Sequence, residues 1–140
     1  MDRIYCEKIN LSIENISSFI KVILREINLK INNIDEDDIY DIKVILNELI
    51  TNAVKYGNCF DANKIVFISI AVITNKYLYI SILDEGDGFS FKCDPNQSTE
   101  LCIENLDESG RGLKIVKALS YKIKFNKKGN RISVLWKINN

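Results

Sequence analysis

Apolar residues along the chain fall into runs of two different periods. From Ile4 to Leu11 they alternate with polar ones, which predicts a first strand. Beyond it, Ile16, Phe19, Ile20, Ile23, Leu24 and Ile27 recur three and four positions apart, the spacing of one helix face. Ser12 stands ahead of that run as a candidate cap, with Asn15 rather than Glu three positions on, so the capping box is imperfect. The acidic run Asp35-Glu36-Asp37-Asp38 marks the start of a second helix, where carboxylates meet the positive end of the dipole. Ile42, Leu46, Leu49, Ile50 and Ala53 form its apolar side. It should reach about Tyr56, with Gly57 as its C-terminal stop.

Two runs dense in Ile, Val, Phe and Tyr follow, Lys64 to Thr74 and Tyr77 to Leu83, with a turn at Asn75-Lys76. Residues Phe89 to Ser109 hold the only proline and show little periodicity. A loop of roughly twenty residues in a compact domain is usually functional or disordered. A third helix is expected from Gly112 to about Ser120. Two closing strands, Tyr121 to Asn126 and Arg131 to Ile138, flank the turn Lys127-Lys128-Gly129-Asn130. The order β-α-α-β-β-loop-α-β-β predicts an α+β fold: a two-layer sandwich with three helices on one face of a mixed, mostly antiparallel sheet of about five strands. The 140 residues suit one domain, 1–140, with a proper core.

Charge and composition then remove several function classes. Nineteen acids balance nineteen bases, which supplies no basic field for non-specific nucleic-acid binding; a local patch from Lys122 to Lys128 is weak evidence for it, and no direct nucleic-acid partner is expected. Apolar runs are short and broken by charge, and the start MDRIYCEKIN has no apolar signal core. The expectation is a cytoplasmic protein without a membrane span. Cys6, Cys59, Cys93 and Cys102 are scattered with no CxxC pair, and read as reduced thiols. Histidine is absent altogether. That excludes Ser-His-Asp and Cys-His catalysis, HExxH zinc chemistry and a phosphohistidine of the chain's own. GxxxxGK[ST] is also missing, so any phosphate chemistry uses another scaffold.

Three clusters carry candidate chemistry. In NELITNAVKYGN, Asp41 (upstream), Glu48, Asn52 and Lys55 fall on one narrow stripe at about 100° per residue, away from the apolar side. The bland alternative is a solvated helix face, although Asn in mid-helix is a modest helix former. In SILDEGDGFSF, a hydrophobic strand ends in Asp84, followed by Gly86 and Gly88. Glycines there allow a sharp turn and close approach of a ligand. The carboxylate can accept a hydrogen bond from an exocyclic amine. The alternative is an ordinary acidic turn. In ESGRGLKIVKALS, Gly110 and Gly112 lead into a helix with Leu113, Ile115, Val116 and Leu119 as its buried side. Its free N–H groups could hold phosphate oxygens, or the glycines could be a flexible connection.

Taken together, the order acid–amide helix, strand-DxGxG and loop-GxGL-helix resembles the asparagine box and the two glycine boxes of the GHKL ATPase superfamily, which has a Bergerat-type fold. The resemblance covers nearly the whole chain. The short length, ELITNAVKYGN and SGRGLKIVKAL look most like the bacterial anti-sigma factor serine kinases, free-standing domains without a dimerisation-phosphotransfer segment. The missing histidine agrees.

The resemblance implies ATP and Mg²⁺ as cofactors. Asn52 matches the family's Mg²⁺ ligand, and Glu48 matches its general base. Asp84 would recognise adenine, assisted by Gly86 and Gly88. Lys55 could neutralise phosphate charge. Gly110, Arg111, Gly112 and Leu113 would hold the phosphates, under a lid formed by Phe89 to Ser109. Ordering of that lid would let nucleotide state control partner binding. The implied partners are a sigma factor, an antagonist phosphorylated on serine, and a second copy in a homodimer. Two positions depart from the family pattern. Glu108 stands where an arginine commonly helps with the γ-phosphate, and Gly129-Asn130 replaces a late Gly-Thr. Both bear on phosphoryl transfer rather than on nucleotide binding. Two other readings stay open: a nucleotide-gated binding module with little or no kinase activity, and a structural domain without nucleotide.

Overall fold

The computed structural model describes residues 2–32, 34–61, 63–86 and 111–138. Strands β1 (Asp2–Ile9), β2 (Val66–Ile73), β3 (Tyr77–Asp84), β4 (Lys122–Phe125) and β5 (Arg131–Lys137) form one sheet in the order β1-β2-β3-β5-β4. Every pairing among the described residues is antiparallel, which narrows the mixed sheet expected from the sequence. The helices are α1 (Ile16–Lys30), α2 (Glu36–Asn52) and α3 (Arg111–Leu119). Among the described residues, no helix is long and apolar enough to cross a membrane.

Period-two alternation sorts the central strands. Val66, Ile68, Ile70 and Val72 of β2, Leu78, Ile80 and Ile82 of β3, and Ile132, Val134 and Trp136 of β5 are buried in the core. Ile16, Ile20, Ile23 and Ile27 of α1 join the same cluster, as do Ile42, Ile45, Leu46, Leu49 and Ile50 of α2 and Leu113 and Val116 of α3, with Leu119 packed against it; Ile115, expected on that buried side, instead faces outward and is exposed. Each such side chain contributes about 1.5–3 kcal/mol relative to exposure. This layer, with α2 in contact with both α1 and α3, fixes where the polar side of α2 lies.

The second helix starts as its acidic run predicts. Asp35 Oδ1 accepts from the Asp38 N–H (2.8 Å), and Asp38 Oδ2 accepts from the Asp35 N–H (3.2 Å), a reciprocal capping box. Ser12 does not cap α1 with its side chain. Its carbonyl accepts from the Asn15 N–H (3.0 Å) and closes a short tight turn, Ile13–Asn15, ahead of the helix. The β2–β3 turn is centred one residue earlier than expected. Lys76 N–H donates to the Ile73 carbonyl (3.1 Å), with Thr74 (φ 54°) and Asn75 (φ 58°) in the left-handed region. Two consecutive positive φ angles match the right-handed strand twist in a tight hairpin.

Candidate functional site

The alternation that buries Leu78, Ile80 and Ile82 delivers Asp84 to the same face, opposite Val66 and one step past the last isoleucine. Only 8% of Asp84 is exposed. A buried carboxylate needs donors, and Gly86 N–H supplies one to Oδ1 (2.8 Å). The backbone is held as well. Asp84 N–H donates to the Asn130 carbonyl (2.9 Å), and Asn130 Nδ2 donates to the Asp84 carbonyl (3.1 Å). Burial raises the Asp84 pKa above its ordinary value; the Gly86 N–H and the positive charges of Lys128 and Lys64 work against that rise.

Beyond Asn52 the second helix widens. Residues Ala53–Gly57 form one broad turn, closed by Asn58 N–H to the Ala53 carbonyl (2.8 Å), and Phe60 N–H donates to the Val54 carbonyl (2.9 Å). Such wide turns occur often at functional sites. The helical run ends at Gly57, as expected, but not through a left-handed glycine. The left-handed residues are Cys59 (φ 51°) and Phe60 (φ 62°), not Gly57. Gly57 serves another purpose: a Cβ there would run into the Asp84 carboxyl. A Cβ at Gly86 would likewise meet the Gly57 carbonyl. The two glycines therefore let two backbone segments close around Asp84.

Along α2, Asp41, Glu48 and Asn52 are half-buried, as is Lys55 in the wide turn, whereas Asp37, Tyr40, Lys43 and Asn47 are exposed. The solvated face of the helix thus belongs to the second group, not to the stripe. Burial, followed by the charges of Asp38, Asp37 and Asp35, raises the Asp41 pKa. Glu48 lies against α3, where a Cβ at Gly112 would fall on its carboxylate.

A recess opens between these elements. Leu49, Asn52 and Ala53 line it from α2 and the wide turn, Ile82 and Asp84 from β3, and Leu113 from α3. Phe125, Gly129, Asn130 and Ile132 complete it from the β4–β5 hairpin. The walls are mostly apolar with a few polar groups, the composition of a ligand pocket. From each sequence cluster one candidate site residue, Asn52, Asp84 and Leu113 in turn, lines it. Glu48 does not line it; its carboxylate lies against Gly112, the residue before Leu113, and Gly86 is joined to the site through Asp84. Lys55 does not line it. Gly88, Gly110, Glu108 and the expected lid from Phe89 to Ser109 lie outside the described residues, as does the side chain of Arg111, whose backbone opens α3.

Among the described residues, no three His, Cys, Asp or Glu side chains gather into a metal cluster. Asn52 on the cavity wall offers one amide oxygen. That fits Mg²⁺, which takes one or two protein oxygens and completes its shell with phosphates and water.

The sequence clusters did not reveal Asn58, which is 2% exposed. Its Nδ2 donates to the Ile65 carbonyl (3.0 Å), and its Oδ1 accepts from the Glu85 N–H (2.8 Å). Glu85 Oε1 in turn accepts from the Ile65 N–H (2.6 Å). Asn130 was legible only as a departure from a motif. A side chain bonded to distant backbone leaves no periodic signal.

The model of one family, the histidine kinase-like ATPase domain, matches residues 10–136. The chain belongs to that family. Among curated relatives, an anti-sigma F factor from Geobacillus thermodenitrificans is 34% identical over 80 residues, 57% of this chain and 54% of the relative. The serine-protein kinase RsbW of Bacillus subtilis is 33% identical over 89 residues, 59% of this chain and 54% of the relative. The matches thus span about half the length of these relatives. Among solved structures, the histidine kinase domain of a blue-light activated histidine kinase from Erythrobacter litoralis superposes with a TM-score of 0.54 at 18% identity, covering 95% of this chain and 67% of that one. That likeness shows the shared fold.

Proposed function

We propose that this chain is an ATP-dependent protein-serine kinase that acts as an anti-sigma factor, holding a sigma factor and phosphorylating the antagonist of that hold. Residues 1–140 would work as one ATP-binding domain in the cytoplasm. The observation that carries the reading is the meeting of Asn52, Asp84 and Leu113 on one cavity, with Glu48 beside it against Gly112. The names of the relatives, anti-sigma F factor and serine-protein kinase, supply the regulatory context.

Each residue has a chemical task. Asp84 accepts from the exocyclic amine of adenine, while Leu49, Ala53, Ile82 and Ile132 cover the faces of the ring. Asn52 gives its amide oxygen to Mg²⁺, which when bound neutralises charge on the phosphates. The N-terminal turn of α3, from Arg111 to Leu113, turns backbone N–H groups to phosphate oxygens. Glu48 takes the proton of the attacking serine hydroxyl. The serine oxygen then bonds to the γ-phosphorus, the bond from that phosphorus to the β-phosphate bridging oxygen breaks, and ADP leaves. Lys55 adds positive charge one turn from Asn52, at the phosphate end.

Labelled ATP added to native cell extract with the purified chain provides the test. The wild type should label one small protein on serine. Glu48→Ala should bind ATP with unchanged affinity and label nothing. If Glu48→Ala labels that protein as the wild type does, Glu48 is not the base. If nucleotide still controls sigma-factor release in a wild type that labels nothing, the chain is a nucleotide-gated binding module instead.

A further inference from the structure

The reading of adenine by Asp84 depends on how firmly the end of β3 is held, and Asn58 is the side chain that bridges it to α2. The Asn58 backbone N–H closes the wide turn that begins just after Asn52, so this one residue, through backbone and side chain, links the proposed metal-binding end of the site to the base-binding end. It is almost completely buried and spends both ends of its amide on backbone groups of other segments: Nδ2 on the Ile65 carbonyl (3.0 Å) before β2, and Oδ1 on the Glu85 N–H (2.8 Å) just after β3. Glu85 is the residue between Asp84 and Gly86, and Gly86 N–H is the donor that orients the Asp84 carboxylate (2.8 Å). Cutting the Asn58 bond therefore loosens the Asp84–Glu85 peptide, leaving Asn130 Nδ2 as the side-chain donor on its carbonyl side, and with it the placement of the Gly86 donor. It also removes a side-chain partner from the Ile65 carbonyl and from the Glu85 N–H.

We propose that Asn58 is a positioning residue for nucleobase recognition: it fixes the Asp84-Glu85-Gly86 turn so that the carboxylate meets the exocyclic amine of the base. This rests on the proposed binding of ATP with Asp84 reading the base.

The test compares ATP with purine riboside triphosphate, which has the same ring, sugar and phosphates but no exocyclic amine. A charge-assisted hydrogen bond to that amine should favour ATP in the wild type by about tenfold or more. Asn58→Ala should lose affinity for ATP while holding its affinity for the analogue, so that the preference falls to about threefold or less. A merely structural role would weaken both nucleotides alike and leave their ratio unchanged, which overturns the inference. If Asn58→Ala does not fold, hydrogen exchange at the Glu85 amide of the wild type decides. Coupling between the latch and the base is reciprocal. ATP should therefore slow exchange at that amide by about tenfold, and purine riboside triphosphate should leave it near the ligand-free rate. Equal slowing by both overturns the inference. Failures at the two levels are distinguishable. A wild type that binds both nucleotides equally removes base reading by Asp84 and the Asn58 role with it. A wild type that binds neither removes ATP binding itself.

Discussion

Gly112 sits so close to Glu48 that a Cβ on the first would overlap the carboxylate of the second. The contact joins α3 to α2 at the place where phosphoryl transfer is proposed. Gly112→Ala gains about 1 kcal/mol of helix propensity, which offsets the cost of pushing aside the far end of a flexible side chain. The fold should therefore melt within a few degrees of the wild type. The displaced Glu48 should lower the transfer rate of bound ATP about a hundredfold, a loss separate from any change in affinity at the phosphate turn. Stopped-flow binding and single-turnover phosphorylation measure the two separately. An unchanged transfer rate would show that Glu48 is not held where catalysis needs it.

Gly57 gives the opposite pattern. The group its Cβ would strike is the buried Asp84 carboxyl, fixed by the Gly86 N–H and unable to swing away. Overpacking of this kind costs about 1–3 kcal/mol. Gly57→Ala should lower Tm by several degrees and weaken ATP binding about tenfold or more. Adding Asp84→Ala should restore stability but not binding, a non-additive pair. Additive losses of stability in the double variant would contradict the contact.

The two glycines also show what the sequence makes legible. Gly57 can be read as a helix stop, because glycine after a periodic apolar run usually is one. Its actual constraint comes from the end of β3, 27 residues further on, and no local pattern records such a contact. The same holds for Asn58. By contrast, Asp84 follows from simple alternation past Ile82, and the capped start of α2 from four consecutive acids. The polar stripe on α2 was visible as a direction on a helix. Its separation from solvent depends on α3, whose contact with Glu48 needs the packed structure. Thr74 and Asn75, in the left-handed region, shifted the hairpin turn by one residue from where Asn75-Lys76 suggested it.

The raised pKa of Asp84 makes stability depend on pH in a definite direction. Burial causes the shift, so the folded state holds the proton more tightly than the unfolded chain does. The stabilisation from Asp84 is then complete below the ordinary aspartate pKa of about 3.9 and is lost as pH rises through the higher folded value. Asp84→Asn carries no such proton. Its Tm relative to the wild type, measured without nucleotide, should increase as pH goes from about 4 to about 7. A difference that stays flat, or shrinks, would mean that the carboxylate is well solvated.

Removal of the metal tests Asn52. In the wild type, chelation of Mg²⁺ should weaken ATP binding about tenfold, because the phosphates would lose the ion that Asn52 is proposed to hold. Asn52→Ala should weaken binding with Mg²⁺ present and respond little to chelation. An undiminished response to chelation in the variant would place the ion elsewhere.

Equilibrium titration of ATP·Mg²⁺ into the wild type, Asp84→Asn and Asn52→Ala, each checked for folding, asks directly whether α2, β3 and α3 build a single nucleotide site. One nucleotide should bind per wild-type chain, and each variant should bind about tenfold more weakly or worse. Absence of binding by the folded wild type, or equal affinity in all three proteins, would contradict it.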